Sequence, residues 1–147
     1  MNFIIREITD TDYKDLLVLF QEFADFQNSS DKMVNTLEQM EKDKDLFSGF
    51  IVKDEEDNLA AYLVYFYFYS TWSGKILYLE DIYVRKQYQN KGIGSQLIRR
   101  TIDIAKREGC RKMRWQVSNW NTNAIRFYES LGAEIDKVEM NCNLTLK

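Results

Sequence analysis

The feature that most restricts the fold is the unbroken apolar run from Leu59 to Tyr69, LAAYLVYFYFY. A membrane span needs about 20 such residues, so this run predicts a long core strand and no membrane partner. Its flank Asp54 to Asn58 is polar, and the stretch Phe47 to Lys53 before that is again apolar, which predicts an antiparallel hairpin. The five consecutive aromatics Tyr65, Phe66, Tyr67, Phe68 and Tyr69 could stack nucleobases. They lack the Lys/Arg-Gly-aromatic setting of an RNA-binding sheet, and their neighbours are neutral or acidic. A strand buried on both faces, or lying at a contact between copies, is the better reading, with no nucleic-acid partner. In a chain of 147 residues, 45% hydrophobic and without proline, one such strand is enough to organise a single domain over residues 1–147.

Periodicity supplies the remaining elements. Phe3 to Ile8 reads as a first strand, followed by Thr9 and Asp10 as capping residues. Tyr13, Leu16, Leu17, Phe20, Phe23 and Ala24 recur at helical spacing. Asp31 to Glu41, with Met33, Val34, Leu37 and Met40 on one side, predicts a second helix. Lys75 to Val84 predicts a strand. Leu97, Ile98, Thr101, Ile102 and Ala105 predict a helix that stops at Gly109. Met113, Trp115 and Val117 alternate as a half-buried strand. Asn121 can cap a last helix, with Ala124, Phe127 and Leu131 inward and Gly132 at its end. Two short strands fit within Glu134 to Leu146. This order predicts an α/β (α+β) domain in which helices pack on a mixed sheet.

Composition then removes whole classes of chemistry. With no histidine, Ser-His-Asp and Cys-His nucleophiles, His-containing zinc sites and an imidazole base are all excluded. Cys110 and Cys142 are far apart and form no CxxC pair, so no metal is expected and reduced thiols are the default. Arg6, Glu7, Asp10 and Asp12 interrupt any apolar centre of a secretory signal, and a cytoplasmic location is expected.

Charge is strongly segregated along the chain. Residues 1–81 carry 7 Lys/Arg against 17 Asp/Glu, whereas residues 82–127 carry 11 against 2. Such a basic stretch inside an acidic protein suggests a polyanionic ligand there and a cationic one elsewhere, although two solvated faces would give the same counts. Within the basic stretch, Gly92 and Gly94 stand where a strand hands over to a helix. Missing side chains let backbone N–H groups approach an anion at the positive helix end. A tight turn needing positive φ would also explain the glycines. Lys91, Arg85, Lys86, Arg99 and Arg100 nearby favour phosphate. The pattern is neither GxxxxGK[ST] nor GxGxxG, so P-loop and Rossmann sites are poor matches.

Gln89-Asn90-Lys91-Gly92-Ile93-Gly94 matches the motif (Gln/Arg)-x-x-Gly-x-(Gly/Ala), and nearly the whole chain resembles the GNAT N-acetyltransferase superfamily. WSGKILYLEDIYV at Trp72 to Val84 and WNTNAIRFYESLGA at Trp120 to Ala133 extend the resemblance to the spermidine/spermine (diamine) acetyltransferase-like branch. The resemblance implies a mixed, mostly antiparallel sheet of six to seven strands flanked by about four helices. It also implies transfer of an acetyl group from acetyl-CoA to a small primary amine, directly, in a ternary complex of a homodimeric enzyme. Backbone groups of Ile82, Tyr83 and Val84 would hold the pantetheine arm. Amides of Gln89, Asn90, Lys91, Gly92, Ile93 and Gly94 would hold the diphosphate, and Asn121 would add a further coenzyme contact. Tyr128 would protonate the departing sulfur, and Glu80 would contact and deprotonate the amine.

The chemistry can be sized. An alkyl amine of pKa about 10.4 is neutral in roughly one molecule per 2,500 at pH 7, a penalty of about 4.6 kcal/mol. A carboxylate near 4.3 is a poor direct base for it, so Glu80 needs a water relay, a raised pKa or an amine of lowered pKa. On a regular strand Glu80 and Asp81 point to opposite faces, and only a bulge would bring both into one cleft. For the leaving group, a thiol near 8.5 and a tyrosine near 10 differ by about 2 kcal/mol, within reach of Tyr128. Gln27 stands where the branch has a substrate-contacting Glu, with Glu22, Asp25 or Asp31 as substitutes. The acceptor therefore stays open among diamines, polyamines and lysine-like amino acids. A peptide N-terminus as acceptor, or a non-catalytic acyl-CoA-binding module, are the alternatives.

Overall fold

In a computed structural model that describes residues 2–146, the chain divides into two compact units, with the boundary after Trp115. The first is built on a five-stranded sheet in the order β1-β2-β3-β4-β5: β1 (Phe3–Glu7), β2 (Ser48–Asp54), β3 (Leu59–Ser70), β4 (Gly74–Val84) and β5 (Met113–Arg114). The first four pair antiparallel, while β5 runs parallel to β4 at Leu77 and Tyr78. A parallel neighbour needs a crossover, and α3 (Ile93–Arg107) provides it. α1 (Tyr13–Phe26) and α2 (Leu37–Lys42) lie between β1 and β2 in sequence.

The long apolar run is the central strand β3, whose Ala60 to Tyr65 is buried on both faces. Tyr62 is fully buried, among α1 residues Leu16 and Leu19, Met40 of α2 and Ile51 of β2. The aromatic half is not uniformly buried: Tyr67 and Tyr69 reach solvent. Gly49 of β2 is fixed by close approach, since a Cβ there would stand 2.0 Å from the Leu63 carbonyl oxygen. Arg6 of β1 donates to both carboxylate oxygens of buried Asp12 at 2.7 and 2.6 Å, and Asp12 Oδ2 accepts from the Thr9 amide at 2.8 Å. That closes a 3-10 turn, Asp10–Asp12, that leads into α1: of the two expected capping residues Thr9 takes part, paired with Asp12, while Asp10 lies inside the turn.

Several sequence expectations are corrected. The Asp31 to Glu41 helix is replaced by a short 3-10 turn at Ser30–Lys32 and the six-residue α2. Thr36 caps α2 by accepting from the Gln39 amide, Asn35 bonds the Thr36 amide, and Val34 is exposed. Local capping outweighs apolar periodicity here. The Met113 to Val117 strand is only two residues long. The sheet has five strands among the described residues rather than six to seven.

The second unit contains α4 (Thr122–Ser130), capped by Asn121, whose Oδ1 accepts from the Ala124 amide at 3.2 Å. Gly132 follows at φ +90°. Leu131 is exposed rather than inward. Beyond it no strand forms among the described residues. Val138, Met140, Leu144 and Leu146 keep the period of a strand yet are exposed, because alternation supplies a face and not a hydrogen-bonding neighbour.

Candidate active site

The turn before α3 has the backbone of an anion cradle. Asn90 and Gly92 take left-handed conformations, φ +62° and +84°, and Gly92 is the residue that caps the helix. A glycine cap brings no side chain to the first-turn amides, so an external acceptor can satisfy them. A Cβ on Gly92 or Gly94 would meet nothing within 4 Å, so the space over the turn is open. Ile93 is buried and anchors the helix start, while Gln89, Asn90 and Lys91 are exposed. The Gln89 side chain donates to the Val84 carbonyl at 3.0 Å, which ties the turn back to the end of β4.

Upstream, Ile82, Tyr83 and Val84 pair with Leu63, Tyr62 and Ala61 of β3. The other edge of β4 meets β5 only at Leu77 and Tyr78, so among the described residues Leu79 to Val84 have no strand on that side. Arg85, where β4 ends, is pinned: its Nε and Nη2 donate to Glu22 of α1 at 3.0 and 2.6 Å, and its Nη1 to the Leu59 carbonyl at 3.2 Å. The Tyr83 hydroxyl also donates to Glu22, at 3.4 Å. Glu22 is therefore a strut between α1 and the strand leading to the cradle, not the substitute for the missing carboxylate. Asp25 accepts from Gln21, and neither Asp25 nor Asp31 borders the cavity described next.

At Glu80 the strand departs from regular geometry. Val64 pairs with Asp81 but Tyr65 with Leu79, so Glu80 is an extra residue on β4. This bulge breaks the alternation that would send Glu80 and Asp81 to opposite faces. Both side chains border one cavity of about 840 Å³, lined also by Phe20 and Phe23 of α1, by Gln27 just after it, by Lys32 between α1 and α2, and by Asp43 just after α2. Partial burial raises both carboxyls from their ordinary values. Asp81 is pushed up to about 6, mainly by desolvation and further by the charge of Glu80. The Tyr62 hydroxyl, donating to Asp81 Oδ2 at 2.9 Å, opposes the rise. Glu80 is raised by desolvation while keeping solvent contact. Tyr62, Lys32 and Asp43 were not singled out by sequence. Tyr62 could have been, since in a β3–β4 hairpin it lies diagonal to position 81.

In the second unit, Tyr128 on α4 is buried and its ring lies 5.6 Å from that of Phe127. Asn121, seven residues earlier, is half-buried and spends its Oδ1 on the helix cap.

Residues 12–133 match the model of the acetyltransferase (GNAT) family. A thialysine N-epsilon-acetyltransferase of Sus scrofa is 32% identical over 141 residues, covering 88% of this chain and 83% of that protein. The human spermidine/spermine N(1)-acetyltransferase-like protein 1 is 34% identical over 141 residues, 89% of this chain and 20% of that protein. Among solved structures, a possible acetyltransferase from Clostridium difficile 630 superimposes with a TM-score of 0.80 at 24% identity, covering 100% of both chains.

Proposed function

The chain belongs to the acetyltransferase (GNAT) family and is an N-acetyltransferase, and from that premise we propose that it acetylates a primary amine of a diamine, a polyamine or a lysine-like amino acid, by direct transfer in a ternary complex. Enzymes of the family use acetyl-CoA as co-substrate, which supplies an activated thioester. The residues present suit that molecule. The open glycine turn at 89–94 offers backbone donors and a helix end to a diphosphate, and the edge of β4 over Ile82, Tyr83 and Val84, which has no strand on it among the described residues, offers backbone groups to an extended arm, except the Val84 carbonyl that Gln89 already bonds. One observation carries the acceptor side: two carboxylates of raised pKa, at a bulge, border one cavity on the strand that leads, through residues 85–88, to the glycine turn.

In this reading Asp81 holds the incoming ammonium and Glu80 takes its proton, directly or through water. Raising the carboxyl pKa narrows the gap to the amine. Tyr128 is assigned the proton that the departing thiolate needs, and Asn121 a coenzyme contact. Both assignments rest on the resemblance, as does the reading of residues 1–147 as one catalytic domain. A cytoplasmic homodimer also belongs to the proposal. It is supported by the resemblance and by the free thiols of Cys110 and Cys142.

Thiol release from acetyl-CoA, measured against diamines, polyamines, lysine-like amino acids and peptide N-termini, tests the reading. Turnover with one of the small amines is expected. Turnover with peptides alone would replace the acceptor class, and coenzyme binding without turnover of any amine would replace the enzyme with an acyl-CoA-binding module.

A further inference from the structure

Four side chains charged at neutral pH border the 840 Å³ cavity, and they fall into two groups by element. Glu80 and Asp81 come together from the bulge on β4, while Lys32 and Asp43 come from the segments joining α1 to α2 and following α2. The first group suits the reacting amine. The second is of mixed sign, which a diamine or polyamine does not require: the far end of such a molecule is a cation, favoured by Asp43 and repelled by Lys32. Lys32 has no carboxylate within salt-bridge distance among the described residues. Asp43 Oδ2 accepts from the Gln39 side chain at 2.9 Å, which orients the carboxylate without neutralising it.

Resting on the amine-acetyltransferase reading and narrowing it, we infer that Lys32 and Asp43 form a head-group subsite for an α-amino acid, so that the preferred acceptor is an amino acid bearing a terminal amine. Lys32 meets the α-carboxylate and Asp43 the α-ammonium, while the terminal amine reaches Glu80 and Asp81. An opposite-charge pair of this kind complements a zwitterion and penalises a dication, through the like charge of Lys32.

The matched acceptors L-lysine and cadaverine isolate this subsite, because they share the chain and the reacting amine and differ by one carboxylate. Wild-type protein is expected to show the higher kcat/KM with L-lysine. In Lys32→Met the ratio of kcat/KM for L-lysine over cadaverine falls about tenfold or more, through KM, and Lys32→Arg keeps it. A wild-type preference for cadaverine, or a ratio unchanged in Lys32→Met, overturns the assignment. So does a loss shared equally by both acceptors, which would mark a structural role. Failure of the broader reading looks different: no amine releases thiol from acetyl-CoA with wild-type protein. In that event calorimetry with L-lysine still decides, since binding to wild-type but not to Lys32→Met supports the subsite and equal heats exclude it.

Discussion

Glu80 and Asp81 are adjacent carboxylates that a single inserted residue brings to the border of one cavity. If Glu80 takes the amine proton, Glu80→Gln loses turnover near pH 7 and recovers part of it at high pH, where free amine accumulates. A uniform loss across a pH–rate profile would make Glu80 a positioning group instead. Asp81 makes a separate prediction about stability. Its carboxyl rises from 3.8 to about 6 because folding desolvates it. The folded state thus holds the proton more tightly. Its contribution is full below the unfolded pKa and is lost as pH climbs through the folded one. Asp81→Asn, which can still accept from Tyr62, should therefore match the wild type near pH 3 and exceed it above pH 6, by on the order of 3 kcal/mol. Thermal melts at both pH values check this, and a difference independent of pH contradicts it. For Tyr128→Phe, turnover should drop about 10²-fold with acetyl-CoA affinity little changed. Stopped assays and calorimetry measure the two quantities, and full activity would remove the acid role.

Between β4 and α3 the elements themselves form the proposed coenzyme site, so the informative substitution there alters backbone surroundings rather than a reactive group. Gly94 lies in the first turn of α3, has no positive φ, and would place a Cβ in open space. Gly94→Ala should leave the free protein as stable or more so, since alanine gains about 0.5–1 kcal/mol over glycine in a helix. The added methyl should still lower acetyl-CoA affinity about tenfold or more, because it fills space assigned to the diphosphate. A melt together with a binding titration separates the two effects, and unchanged affinity would place the diphosphate elsewhere. At this scale the sequence was readable wherever a residue acts locally. Thr9, Gly109, Asn121 and the Gly92 turn all behave as their chemistry dictates. It failed where pairing or competition decides. The bulge at Glu80 is a matter of register between two strands, invisible in either alone. The apolar stripe of 31–41 gave way to the cap at Thr36, and Glu22, an attractive spare carboxylate on paper, was taken by Arg85 from 63 residues away.

Over the whole molecule, the segregation of charge along the chain acquires a physical use. The acidic first 81 residues contain the carboxylates of the acceptor cavity, and the basic stretch 82–127 contains the anion turn and the exposed outer face of α3 with Arg99 and Arg100. Counting charges could not decide between two solvated faces and two oppositely charged ligands. The structure sets an open glycine turn in one segment and a carboxylate-bearing cavity in the other, the arrangement that the two-ligand proposal needs. If these fields steer the two ligands, both encounters weaken as salt shortens the Debye length, about 10 Å at 0.1 M and less above it. Raising ionic strength from about 0.05 to about 0.3 M should then raise the KM for acetyl-CoA and for a cationic amine several-fold each, with kcat nearly constant. In the proposed mechanism the chemical step takes place beside the cavity carboxylates, where partly buried charges are screened less than fully exposed ones. Steady-state kinetics across a salt series measure these quantities together. A kcat that falls in parallel with rising KM would mean that salt disturbs the folded site, and KM values indifferent to salt would return the charge asymmetry to simple solvation.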